Sequence, residues 1–144
     1  MDAIDLKILR LLKGNSRTTN SEIGKQVSLS LPAVSERIRK LEESDVIRRY
    51  TIKLNRERFQ LNLLAFIFVT LDQKEKAELF RETVRYCDSV LECHHITGEY
   101  DYLLKVAVKD TAALENLISA TLKRTAGAAR TNTVMALSTQ KEDD

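Results

Sequence analysis

Three observations predict an α+β chain of two modules: a winged helix-turn-helix unit with three helices and a short wing, then a ferredoxin-like βαββαβ domain. Three short helical patterns crowd into the first 43 residues, with a tight turn before the third. From residue 63 onward, strand and helix signals alternate in the order β-α-β-β-α-β. The charge divides at the same place: residues 1–62 carry 13 Lys and Arg against 8 Asp and Glu, and residues 63–144 carry 10 against 13. The first part suits a polyanion and the second does not.

In the first module, residues 1–54, Ile4, Ile8, Leu11 and Leu12 mark one face of a helix that Gly14-Asn15 stops. Thr19 and Glu22 have the spacing of a capping box, in which hydroxyl and carboxylate each satisfy an orphan backbone N–H, and Ile23 and Val27 follow on one face. Ser30 is a good N-cap for the third helix. Pro32 lies in its first turn, where the missing N–H costs nothing, and Val34, Ile38 and Leu41 recur at helical spacing. Val46 to Leu54 reads as a strand pair or wing and brings Arg48, Arg49 and Lys53 with it. Residues 55–62 are polar and aperiodic, and are read as a linker.

In the second module, residues 63–144, strands are predicted over Leu63–Leu71, Val90–Thr97, Tyr102–Val108 and Arg130–Ser138, and helices over Lys74–Cys87 and Thr111–Leu122. Both helices pack on one face of such a sheet. Leu63–Leu71 is nevertheless apolar at nearly every position, so the uncovered face of this strand is greasy. A second copy of the sheet is its natural cover. A dimer through these domains is therefore expected, holding two reading heads at a fixed spacing on a two-fold symmetric site.

Other function classes find little support. The longest apolar stretch has nine residues, against the roughly 20 that a helix needs to cross a bilayer, so no membrane partner is expected. Two cysteines, Cys87 and Cys93, show no pairing pattern, and no apolar leader opens the chain; a cytoplasmic setting is expected. Cys93-His94-His95 does not read as a metal site, because neighbouring strand side chains point to opposite faces and further ligands are missing; a buried Cys and ordinary sheet histidines are expected instead. No nucleophile-base set, carboxylate cleft or phosphate-cradling glycine loop is present. Neither an enzyme nor a cofactor is expected.

Ile4-Asp5-x-x-Ile8-Leu9, Asn15-x-Arg17, Glu22-Ile23-Gly24, Leu29-Ser30, Val34-x-x-Arg37-Ile38-x-x-Leu41-Glu42 and Val46-Ile47 come in this order, followed by Thr97-Gly98-Glu99-Tyr100-Asp101-Tyr102-Leu103-Leu104 and Thr131-x-Thr133. Singly these motifs are weak; at these spacings the chain resembles, end to end, the Lrp/AsnC or feast/famine regulators. Ser28, Asp45 and Glu99 depart from the usual pattern, standing where many members have Gly, Gly and Asp. Asp45 is the least comfortable, since Gly tolerates a left-handed conformation at a helix end that other residues adopt at a cost.

The resemblance implies a bacterial or archaeal, nucleoid-associated transcriptional regulator of double-stranded DNA, dimeric and assembling further to an octamer or an open assembly. By resemblance and position, Ser30, Pro32, Ala33, Ser35, Glu36, Arg37, Arg39 and Lys40 form the DNA-facing surface, with Arg17, Arg48 and Arg49 on phosphates. Arg37 has an alternative, pairing with Glu36 or Glu42 on a solvated face. The resemblance also implies a small-molecule effector, an amino acid or related metabolite, at Gly98, Glu99, Tyr100 and Asp101. Asp101 would take its ammonium group, and Thr131 and Thr133 its carboxylate or side chain. The alternative there is a plain hairpin in which Gly98 supplies a positive φ and Asp101 caps the turn. Two rival functions stay open: an architectural DNA-compacting protein without effector, and a metabolic relative that no longer binds DNA.

Overall fold

The computed structural model describes residues 1–142. Its contacts divide the chain into two units, Met1–Leu54 and the chain from Asn55 onward. In the first unit, α1 (Ala3–Gly14) opens on Asp2, whose side chain accepts from the N–H groups of Ile4 and Asp5 while the Asp5 carboxylate accepts from the Asp2 N–H. Helix α2 (Asn20–Val27) begins with the predicted Thr19/Glu22 box, and α3 (Leu31–Glu43) with the Ser30 cap and Pro32 in its first turn. Ile8, Leu12, Ile23, Val34, Ile38 and Leu41 form the core. At the α2–α3 turn the Leu29 N–H donates to the Gly24 carbonyl at 3.0 Å. Backbones approach closely there: a Cβ on Gly24 would stand 2.6 Å from the Leu29 carbonyl oxygen.

Ser28 and Asp45, two of the departures from the family pattern, both sit in the left-handed region, with φ of 56° and 57°. A non-glycine residue there costs roughly 1–2 kcal/mol, which the lower chain entropy of the larger residue partly offsets. Ser28→Gly and Asp45→Gly are each expected to stabilise the first unit by about 0.5–1 kcal/mol, read as a higher urea midpoint at unchanged m value.

The strand pair read over Val46–Leu54 does not form. The Val46 and Ile47 N–H groups both donate to the Leu41 carbonyl, closing α3, and residues 48–55 run without a ladder. A strand requires a neighbour to hydrogen-bond, and within this unit there is none; Tyr50, Ile52 and Leu54 stay exposed. The segment is tethered instead by the Tyr50 hydroxyl, which donates to Glu42 at 2.8 Å.

The second unit is a four-stranded antiparallel sheet of β1 (Leu63–Thr70), β2 (Val90–His95), β3 (Tyr102–Val108) and β4 (Arg130–Met135), in the order β2-β3-β1-β4. Asn55, in the segment read as linker, caps a short 3-10 turn, Arg56–Phe59. The helix over Lys74–Cys87 is a 3-10 turn followed by α4 (Ala77–Arg85), and the helix over Thr111–Leu122 is α5 (Thr111–Asn116) prolonged by a π-helical segment, Leu117–Thr125. Periodicity gave the apolar stripe of this element but not its winding, because the shift from i→i+4 to i→i+5 bonding barely moves one face over two turns.

Register sorts the sheet faces. Ala65, Ile67, Val69, Leu104 and Val106 are fully buried with Phe80 and Leu122, facing the helices. On the other face β1 places Leu64, Phe66 and Phe68, beside Leu103 on β3 and Val134 on β4. Lys105 lies in the same row as Phe66, and the Glu142 carboxylate accepts from it at 2.6 Å and from Arg56 through two bonds of 3.0 Å. Arg56 first and then Lys105 hold the Glu142 carboxyl down at about 2. A depressed carboxylate contributes stability above its unfolded value, near 4.5, and loses it as pH falls toward 2. Glu142→Gln is therefore expected to lower stability by about 1–3 kcal/mol at pH 7, with the difference from wild type closing as urea melts are repeated down to pH 2.

Candidate functional site

The exposed surface of α3 has two parts. Its start is uncharged, with Ser30, Leu31 and Pro32 exposed and Ala33 and Ser35 half-buried, and the charges begin only at Glu36. Arg39 spans Glu36, at 2.7 and 2.9 Å, and also reaches Glu43, while Lys40 lies 3.6 Å from Glu36. Arg17, Arg48 and Arg49 are exposed, Arg48 with only a loose 3.5 Å approach to Asp45. Small side chains at a helix start let the backbone approach base edges, and outlying guanidiniums suit phosphates.

Two residues of the predicted surface are tied into the unit. Arg37 donates to Asp2 at 2.8 Å and Asp5 at 2.7 Å, clamping α3 to the α1 cap rather than pairing with Glu36 or Glu42. Ser35 accepts from Asn20 at 2.9 Å, linking α2 to α3. Sequence reasoning missed Leu31. Its spacing from Val34, Ile38 and Leu41 places it on the core stripe, yet it is 54% exposed because it lies at the very start of the helix, beyond the core. Periodicity does not reveal where the neighbouring helices end.

The turn Gly98–Asp101 joins β2 to β3. Gly98 has φ +108°, and Asp101 is consumed by the fold: its N–H donates to the Val69 carbonyl, its carbonyl accepts from Ile96, and its carboxylate accepts from the Leu71 N–H at 2.8 Å. The carboxylate expected to receive an ammonium group thus already has a backbone donor. Glu99 pairs with Arg130 at 3.1 Å, Arg130 stands 5.2 Å over the Tyr100 ring, and Tyr100 packs on Phe68 at 5.3 Å. The Thr70 hydroxyl, opposite Arg130 in the register, is buried without a hydrogen-bond partner. Thr131 and Thr133 are not brought to this cluster. They oppose Val69 and Ile67, on the helix side of the sheet, and Thr133 lines a separate cavity of about 330 Å³ with Leu114, Ile118 and Met135. Arg130, Phe68 and Thr70 were missed because only the β1–β4 register brings them to the turn.

Cys93 and His95 share a sheet face and His94 takes the other, but β2 is an edge strand, so Cys93 is exposed rather than buried. Among the described residues, no group of His, Cys, Asp and Glu side chains is arranged to hold a metal ion, and no helix is long and apolar enough to cross a membrane.

Residues 1–48 match the family model of winged helix-turn-helix DNA-binding domains, and residues 64–144 that of the Lrp/AsnC ligand binding domain. The chain belongs to the Lrp/AsnC family. Leucine-responsive regulatory proteins of Escherichia coli K12 and Klebsiella pneumoniae are each 35% identical to this Lrp/AsnC chain, covering all of it and 89% of their own length. A transcriptional regulator from Neisseria meningitidis, solved as a complex with L-Met, superposes with a TM-score of 0.95 at 34% identity, over 99% of this chain and 94% of the other. An AsnC family regulator from Agrobacterium tumefaciens gives 0.91 at 29% identity, over 99% and 94%. The protein is accordingly a Lrp/AsnC-type DNA-binding regulator whose first unit carries the helix-turn-helix and whose second is the ligand-binding domain.

Proposed function

We propose that this regulator dimerises by pairing the open faces of two sheets, that the first turn of α3 reads bases in the major groove, and that an amino acid bound at the Glu99–Arg130 pair shifts DNA affinity. The observation that carries the effector reading is the composition of that cluster: an anion for an ammonium group, a cation for a carboxylate, the Tyr100 ring under that cation and an unpartnered buried hydroxyl, Thr70, alongside. The complex of the Neisseria relative with L-Met supports an amino acid as the ligand class. Ser30, Leu31, Pro32 and Ala33 face base edges, while Arg17, Arg39, Lys40, Arg48 and Arg49 meet phosphates. Arg37 holds the helix and Asp101 the turn. A zwitterion inserting into the Glu99–Arg130 pair replaces one ion pair with two, and because both side chains are exposed, folding barely depends on either.

Arg130→Ala and Glu99→Gln are therefore expected to leave DNA affinity within about twofold and thermal stability within roughly 0.5 kcal/mol of wild type, and to abolish its response to a pool of amino acids. Fluorescence anisotropy on the DNA upstream of the gene measures both. A response that survives both substitutions places the effector elsewhere. The rival function, non-specific compaction, predicts equal binding to any DNA and no response at all.

A further inference from the structure

We propose that the cavity between α4 and the edge strand β2 is a second ligand site, which takes a small organic acid anion with a flat or apolar body and no ammonium group. The cavity holds about 410 Å³ and lies on the helix side of the sheet. The Glu99–Arg130 pair is associated instead with the start of β4, at the other edge. Val84 and Leu91 give apolar walls, and the stacked rings of His95 and Tyr102, 5.0 Å apart at 25°, form a flat one. Leu91 is turned out at the bulge that breaks the β2–β3 register.

Two guanidiniums one helical turn apart, Arg81 and Arg85, line the same cavity. Arg81 is neutralised by Glu78 at 2.5 Å. Arg85 makes no hydrogen bond or ion pair among the described residues and feels Glu78, already bound to Arg81, only at a distance, so its fork of donors is left for a carboxylate, the geometry it matches best. The ligand's other end decides the class. Of the cavity's lining residues Glu92 carries the carboxylate, and it is engaged by His94 at 3.0 Å and Lys105 at 3.1 Å; Glu82 and Asp88, three residues to either side of Arg85, do not line the cavity. An amino acid would therefore bring an ammonium group to a site with a surplus cation and no carboxylate to receive it. A 2-oxo acid or another carboxylate lacking the amine meets no such cost.

Phenylpyruvate is the probe and L-phenylalanine its matched control, titrated calorimetrically into the full-length protein. Phenylpyruvate is expected to bind at least about tenfold more tightly than phenylalanine, and Arg85→Ala to weaken it at least about tenfold, the loss of one bidentate charged contact. Because Cys93 lines the same cavity, the ligand should also slow alkylation of Cys93 by iodoacetamide severalfold in a Cys87→Ser background. Arg130→Ala should change neither result. No binding at millimolar phenylpyruvate, equal binding of phenylalanine, indifference to Arg85→Ala, unprotected Cys93, or loss of binding in Arg130→Ala in place of Arg85→Ala would each overturn the proposal.

Discussion

Val134→Asp is expected to turn a dimer into a monomer. Val134 stands on the open face beside Phe66, and it is 50% exposed in the single chain, so an aspartate there stays solvated and the protomer folds. In a face-to-face pair of sheets the same side chain is buried in each subunit, and two-fold symmetry enters the substitution twice. An unpaired buried charge costs several kcal/mol, and about 3 kcal/mol already weakens association more than a hundredfold. Analytical ultracentrifugation should show wild type as a dimer or larger at micromolar concentration and the variant as a folded monomer, with circular dichroism unchanged. DNA carrying two half-sites should then lose the advantage of simultaneous engagement, on the order of a hundredfold. A Val134→Asp chain that remains dimeric would show that another surface makes the pair.

Gly24→Ala acts on the other unit, and its effect is also large. The added methyl would stand 2.6 Å from the Leu29 carbonyl oxygen, and the obstacle is backbone, held by the Leu29 N–H bond to Gly24 itself. No rotamer change relieves it. The α2–α3 turn has to open, at a cost of about 1–3 kcal/mol or more, taking Ile23 and Val34 out of register in a six-residue core. Urea unfolding should show the first unit melting at a lower midpoint, with the second unit's transition in place and DNA binding sharply reduced. Unchanged melting would mean the turn relaxes freely and that Gly24 is not required by geometry.

The fold was legible where local chemistry specifies it. The Thr19/Glu22 box, the Ser30 cap and Pro32 fixed the starts of α2 and α3, and the apolar run Leu63–Leu71 announced both a strand and its open face. The segment 46–54 was misread because its residue types suit a strand, while strand formation depends on a neighbour that the unit does not supply. The functional surfaces were legible only in part. Arg37 looked like a DNA contact because its partners, Asp2 and Asp5, lie more than 30 residues away, and Thr131 and Thr133 looked like effector ligands because alternation says which residues share a face but not which face the turn occupies. Arg130 became visible only once the β1–β4 register placed it over Tyr100.

Two paired reading heads bind DNA, and an amino acid at the sheet domain changes how well they do so. Anisotropy on the DNA upstream of the gene, against scrambled DNA at two salt concentrations, with and without a pool of amino acids, tests it most directly. Tighter binding to the upstream DNA is expected, with affinity falling steeply with salt and a curve shifted by the pool through a coupling of about 1–3 kcal/mol. Equal binding to both DNAs with no response to the pool, or no binding at all, would contradict it.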